Sequence, residues 1–396
     1  MSDLQLTEQQ ADALEDVDGW LANGAPGGVF RLGGYAGTGK TTIARMLTSR
    51  PVAFGAYTGK AVQVLRSKGI AAETLHRLMY LPKGDGGTPE VRALIDRIRN
   101  TINDRERDDL AYRLRKAAGG RSFSFNPDGM LAELKANNGV LVVDEASMVD
   151  AAMAADLTSS EVPVIALGDP MQLPPIGNGR GVLFDPEKMD VMLTDVKRQD
   201  GPLAEAMLFV RENKRVPAEL YDTPLARLEA DQIITHTNAK RWETIKKTRA
   251  QLGLKPGVPT PLGDRIIVTQ NNTDKDVFNG QQFVVLDVIE GRQTCAIHAV
   301  DSVTGEEREL NVWIEGFHDL AGESALNQTP YNEQKQAVCA TFAHAITCHK
   351  AQGSEWDKVI VVEEPGIFNK SKWLYTAVTR ARVAVKVVKP KRVSKK

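Results

Sequence analysis

The apolar positions of this chain fall into two strand-and-helix blocks, each interrupted once. Ala13, Leu14, Val17, Trp20 and Leu21 recur at helical spacing, which predicts an amphipathic helix opening near Thr7 and ending in the glycine- and proline-rich stretch 22–28. Residues 29–32 then predict a strand, 40 to about 49 a helix, 52–56 a strand, a helix from Lys60, and a short helix near 73–79. Apolar runs at 139–145 and 162–167 read as further strands of the same sheet. Such alternation predicts an α/β fold, a parallel sheet with helices on both faces. Between these runs the pattern changes. Val91, Leu94, Ile95, Ile98 and Ile102 lie at helical spacing in a charge-rich segment, and 119–129 reads as a short strand and turn.

A second α/β pattern begins near Gly201, with a helix at 203–211, a strand at 232–236 and a helix at 238–250. From Gly263 to about Gly316 the period drops to two, which predicts a small inserted β-domain. The α/β pattern returns at Cys339 and closes with a helix at 374–380 and a strand at 383–388. The expected division is therefore 1–81 with 138–197, an insertion at 82–137, a second unit at 198–262 with 339–396, and its insertion at 263–338.

Composition changes this picture little. With 396 residues, 42% hydrophobic and 26% charged, the chain is long enough for two to three cores. The net charge is −1, from 50 basic and 51 acidic residues, so any nucleic-acid groove must be local. The basic C-terminal run around Lys389, Lys391 and Arg392 reads as a solvated tail. Three cysteines and no C-x-x-C argue against a disulfide scaffold. Cys339, His344, Cys348 and His349 match no zinc-finger spacing. No apolar run approaches a membrane span, and the N-terminus is polar, so a cytoplasmic location is expected.

The candidate chemistry starts at Gly34-Tyr35-Ala36-Gly37-Thr38-Gly39-Lys40-Thr41, which fits the phosphate-loop spacing G-x-x-x-x-G-K-[ST]. Glycines let backbone N–H groups face phosphate oxygens, Lys40 supplies charge, and Thr41 offers a hydroxyl to Mg2+. An apolar strand delivers Asp144 and Glu145 at its carboxyl end, where ligands of open α/β sheets bind. Asp144 is then the candidate metal residue, and Glu145 the group that orients or deprotonates a water. Gln172 stands in the rigid loop Gly168-Asp169-Pro170-Met171-Gln172-Leu173 and has the amide of a phosphate sensor. Arg198 and Arg380 come from the second unit, as surface ion-pair residues or as arginine fingers.

In order, these blocks resemble the superfamily 1 helicases, specifically the 1B branch of RecD-like and phage Dda-like DNA helicases. Leu6-Thr7-x-x-Gln10 resembles the Q motif, whose glutamine reads adenine; Thr7-x-x-Gln10 is also a capping box. Gly34 to Thr41 is similar to motif I and Ala56-Tyr57-Thr58-Gly59-Lys60-Ala61 to motif Ia. Thr74-Leu75-His76 is similar to the next DNA-contacting motif, and Asp144-Glu145-Ala146-Ser147 to motif II. Gly168 to Leu173 resembles motif III and Lys197-Arg198-Gln199 motif IV. Thr347-Cys348-His349-Lys350-Ala351-Gln352-Gly353-Ser354-Glu355 resembles motif V, and Tyr375-Thr376-Ala377-Val378-Thr379-Arg380-Ala381 motif VI. Motif Ia of the family usually has proline where Tyr57 stands.

The resemblance implies two RecA-like P-loop NTPase units sharing ATP and Mg2+, a small insertion in the first, and a Src-homology-3-like barrel in the second. It implies that Gln10, Gly37, Thr38, Gly39, Lys40, Thr41, Thr42, Gly353 and Glu355 hold the nucleotide. By the same resemblance Tyr57, Thr58, Lys60, His76, Thr347 and His349 hold single-stranded DNA. The insertion is where the family places a strand-separating pin, with Phe123 and Phe125 as candidate tip residues. The implied activity is a monomeric 5′-to-3′ motor on single-stranded and forked DNA, in a bacterial or phage-infected cell, with replication or recombination proteins as partners. Two other readings stay open on the residues alone: an RNA-directed motor of the same superfamily, and a P-loop protein that binds nucleic acid without turnover.

Overall fold

The computed structural model describes residues 6–25, 28–46, 50–82, 89–101, 103–117, 123–174, 183–195, 202–261, 263–329, 333, 335–367 and 369–389. In chain order the first unit contains strands β1 (Val29–Gly34), β2 (Val52–Ala56), β3 (Ala72–Thr74), β4 (Tyr80–Pro82), β5 (Phe123–Phe125), β6 (Val140–Asp144), β7 (Val164–Gly168) and β8 (Val191–Leu193). Six of these form one parallel sheet, in the order β3-β2-β6-β7-β1-β8. Val140, Leu141, Val142 and Val143 are fully buried, because helices cover both faces of a parallel sheet and its central strands carry apolar side chains on both. The register Gly33↔Gly168 and Ala56↔Asp144 brings the phosphate loop, the Asp-Glu pair and the Gly-Asp-Pro loop to one carboxyl edge.

The second unit is a parallel sheet of β9 (Gln232–Thr235) with three later strands. Between them lie β10 (Arg265–Val268), β11 (Gln282–Glu290), β12 (Thr294–Asp301), β13 (Glu307–Trp313) and β14 (Ala340–Phe342), an antiparallel sheet in the order β13-β12-β11-β10-β14. Its end strands approach one another: Val338 N–H donates to Asn311 O at 2.7 Å and Trp313 N–H to Val338 O at 3.0 Å, just ahead of β14. Then come β15 (Ala345–Thr347), β16 (Trp356–Val362) and β17 (Ala381–Val388), giving the parallel order β15-β9-β16-β17.

The insertions differ most from expectation. The expected single helix is a hairpin of Pro89–Asn100 and Asp104–Ala117. The second helix escaped the sequence reading because its apolar residues are sparse among charges. Leu94, Ile95, Ile98, Leu110 and Leu114 do not close a core alone; they pack on Ala321 and Ala325 of the helix Leu320–Gln328 in the other insertion. Arg107 seals the contact with two hydrogen bonds to Asp319, at 3.0 and 3.2 Å. On the same helix Glu323 accepts from Trp242 Nε1 at 2.8 Å, pairs with Arg241, and lies 3.7 Å from Lys350. One short helix therefore joins the first unit's insertion to the second unit.

Candidate functional site

Thr7 caps the helix Glu8–Ala22 through a complete capping box: its hydroxyl accepts from Gln10 N–H, and Gln10 Oε1 accepts from Thr7 N–H at 3.1 Å. Gln10 Nε2 donates in turn to Thr38 O at 2.9 Å inside the phosphate loop. The helix end and the loop are thus one rigid piece. Gly37 and Gly39 have φ of 84° and 82°, and a Cβ on Gly39 would stand 2.4 Å from Gln10 Nε2, so both conformation and space demand glycine there. The loop feeds the helix Lys40–Arg45, which begins with Lys40, Thr41 and Thr42. The Lys40 ammonium donates to Gly34 O at 2.6 Å and Tyr35 O at 3.0 Å, which holds it over the loop it is expected to serve.

Thr41 Oγ1 donates to Asp144 Oδ2 at 3.4 Å, so the two expected metal residues meet. Glu145 follows in left-handed backbone (φ 53°, ψ 39°), its N–H bound to Asp144 Oδ1 at 2.9 Å. Desolvation raises both carboxyls above their ordinary range. For Glu145 the Asp144 charge adds to this, and Arg380 and Lys40 oppose it. Gln172 is buried, and its amide oxygen has no hydrogen-bond partner among the described residues.

The second unit closes over this edge. Leu173 N–H donates to Thr376 Oγ1 at 2.9 Å, Gln352 Nε2 to Leu173 O at 3.1 Å, and Lys372 Nζ to Pro170 O at 3.0 Å. Arg380 is 3% exposed, with Nε on Thr376 O at 3.0 Å and Nη1 on Ser354 O at 3.3 Å, and its field reaches Glu145. Arg198 lies outside the described residues. Three contacts were not anticipated: Tyr375 meets Ala36 and Asp169, and Arg211 sits 4.0 Å over the Tyr35 ring.

The expected strand contacts gather at the other half of each sheet, on β2 and β3 in the first and on β15 and β9 in the second. Thr58 and Thr74 cap the helices Gly59–Ser67 and Leu75–Met79, leaving further N–H groups of each first turn for an anion. Thr347 precedes the helix Cys348–Ala351. The halves touch where Gly353 faces Ala61, a Cβ at that glycine lying 3.1 Å from the alanine's. Tyr57, His76, Tyr80 and Phe125 form a chain of rings with centroids 5.9, 5.8 and 6.2 Å apart. It runs from Tyr57 to the antiparallel β4–β5 pair, and Tyr80 is the ring the sequence reading missed. Burial lowers the pKa of His76, opposed by Asp150. His349 is also lowered, by burial and then by His236. The side chain of Phe123 lies outside the described residues. Lys60, expected on the strand, is buried instead under the inserted sheet. Its ammonium lies 3.4 Å from Gln63 Oε1 and near Asp301, which accepts from Gln63 and Gln281 at 2.6 Å each. Gly353, expected on the nucleotide, packs instead against Ala61 at the strand edge, just after the helix Cys348–Ala351, with Glu355 two residues on.

A family profile described as AAA domain matches residues 5–234, more than half the chain, and one described as UvrD-like helicase C-terminal domain matches 342–388. The chain belongs to the AAA domain family; its sequence is similar to RecD proteins and its fold to that of Pif1. It is 25% identical over 427 residues to the ATP-dependent RecD2 DNA helicase of Deinococcus radiodurans, covering 95% of this chain and 48% of that protein. It is 28% identical over 417 residues to the RecBCD subunit RecD of Mycobacterium tuberculosis, covering 91% of this chain and 66% of that one. The chain thus spans about half the length of the first relative and 66% of the second. Bacteroides Pif1 bound to single-stranded DNA has the same fold, with a TM-score of 0.59 at 19% identity over 97% of this chain and 92% of that one. Candida albicans Pif1 gives 0.58 at 18% identity over 97% and 94%. The contacts of Tyr375 and Arg211 escaped sequence reasoning because each is made across the two units.

Proposed function

We propose that this chain is an ATP-driven DNA helicase that moves 5′ to 3′ on single-stranded DNA. The observation that carries the reading is the shared cleft: phosphate loop, Asp-Glu pair and Gln172 from one unit, met by Arg380 from the other. The glycine cradle and the Thr41–Asp144 pair fit a magnesium-bound triphosphate. Magnesium, when bound, neutralises charge at the terminal phosphates, and Thr41 and Asp144 are the residues to hold it. Lys40 and the loop N–H groups hold the phosphates. Glu145 orients the attacking water and accepts its proton, Gln172 senses the terminal phosphate, and Arg380, with Arg198, stabilises charge there from the second unit. Closure of the cleft shifts Thr347 and His349 relative to Thr58, Tyr57 and His76, and that shift moves the strand. The inserted sheet serves as a Src-homology-3-like barrel and the β4–β5 strand pair, with Phe123 and Phe125, as the pin.

Lys40→Ala tests the reading. ATP hydrolysis with single-stranded DNA should fall to background in that variant; parental turnover would overturn the assignment. Replacing the DNA with RNA of the same sequence should give weaker stimulation.

A further inference from the structure

Tyr375 lies in the second unit's helix Lys370–Val378 and is 3% exposed. Its hydroxyl donates to Asp169 Oδ2 at 2.9 Å and accepts from Ala36 N–H at 3.4 Å. That N–H belongs to the same peptide group whose carbonyl, on Tyr35, takes the Lys40 ammonium at 3.0 Å. A lysine at this place in a phosphate loop reaches the β- and γ-phosphates. A hydroxyl from the second unit therefore stands one peptide group away from the cation that marks the terminal phosphates. Arg211, also from the second unit, covers the neighbouring Tyr35 ring, so the contact spans two consecutive loop residues. Burial, then the Asp169 charge, keep the Tyr375 pKa well above 10, and the hydroxyl remains a donor.

We propose that Tyr375 is a specificity-determining residue for the nucleotide: when the loop holds ATP, its hydroxyl turns from Asp169 to a γ-phosphate oxygen and donates across the cleft. The proposal rests on the reading of the loop as an ATP site. A diphosphate offers no oxygen at that place, so the hydroxyl stays on Asp169. Tyr375 thereby ties cleft closure to the presence of the third phosphate, a task distinct from the charge stabilisation assigned to Arg380.

The test is equilibrium titration of the full chain with magnesium AMPPNP and with magnesium ADP. Tyr375→Phe keeps the buried ring and removes only the hydroxyl. It should weaken AMPPNP about tenfold, as for one hydrogen bond to a charged group, and leave ADP within about twofold. Equal weakening of both nucleotides, including through misfolding, would show that Tyr375 only packs and would overturn the proposal. Unchanged AMPPNP affinity would overturn it as well. If the parent chain bound neither nucleotide, the ATP reading itself would fall, and Tyr375's role with it.

Discussion

Glu145 holds the least comfortable backbone in the cleft, left-handed at φ 53° in a residue with a full side chain. Strain of this kind costs on the order of 1–3 kcal/mol and persists where surrounding structure enforces it. Here the strand β6 and the Asp144 hydrogen bond enforce it, and the result is a carboxylate turned out at the strand end. Glu145→Gln should retain nucleotide binding but slow DNA-stimulated hydrolysis by roughly 100-fold or more, measured as single-turnover phosphate release. Equal single-turnover rates would remove Glu145 from the role. Lys60 offers a second residue-scale test. Desolvation lowers its pKa from 10.5 to about 8 in the folded chain, with Asp301 opposing. Between those values the unfolded chain binds a proton that the folded chain lacks. Stability therefore rises with pH across that window, by up to about 3 kcal/mol, and gains nothing from this group below about 8. Lys60→Met should flatten that rise and be more stable than the parent at neutral pH, as read by urea unfolding at pH 7 to 10.

At the scale of elements, the helix Leu320–Gln328 does the joining, with Ala321 and Ala325 under the first unit's hairpin and Glu323 beside Lys350 of motif V. Arg107→Ala should destabilise the docked hairpin by roughly 2 kcal/mol, the usual cost of losing hydrogen bonds to a charged group. Strand separation should then fall more than ATP hydrolysis does; equal losses would mean the hairpin contact carries no coupling. Along the ring chain, His76→Ala should weaken single-strand binding by about 1–3 kcal/mol, the range for one base–aromatic stack. Fluorescence anisotropy with a labelled oligonucleotide reads that change. What the sequence made legible follows the same scale. The phosphate loop, the Asp-Glu pair and most strands were readable because each depends on neighbours in the chain. Tyr375 meets Ala36 across 339 positions, and Lys60 is buried by a domain more than 200 residues away. Local pattern carries no trace of such pairings. Lys60 was expected on the strand by resemblance to motif Ia, and nothing local to it reveals that the inserted sheet covers it. The short strands β8 and β15 were missed because three residues are too few to show a period.

For the whole molecule, the nucleotide edge and the strand edge sit on opposite halves of both sheets, and the two units meet at each. Leu173, Gln352 and Tyr375 join them at the first, Gly353 and Ala61 at the second. In the proposed motor, a change in distance at the nucleotide edge would be passed to the strand edge through these contacts. Strand displacement on forked duplexes carrying only a 5′ or only a 3′ single-stranded tail tests this claim most directly. With ATP and magnesium, separation of the 5′-tailed fork alone is the predicted result; separation of the 3′-tailed fork alone, or of neither, would contradict it.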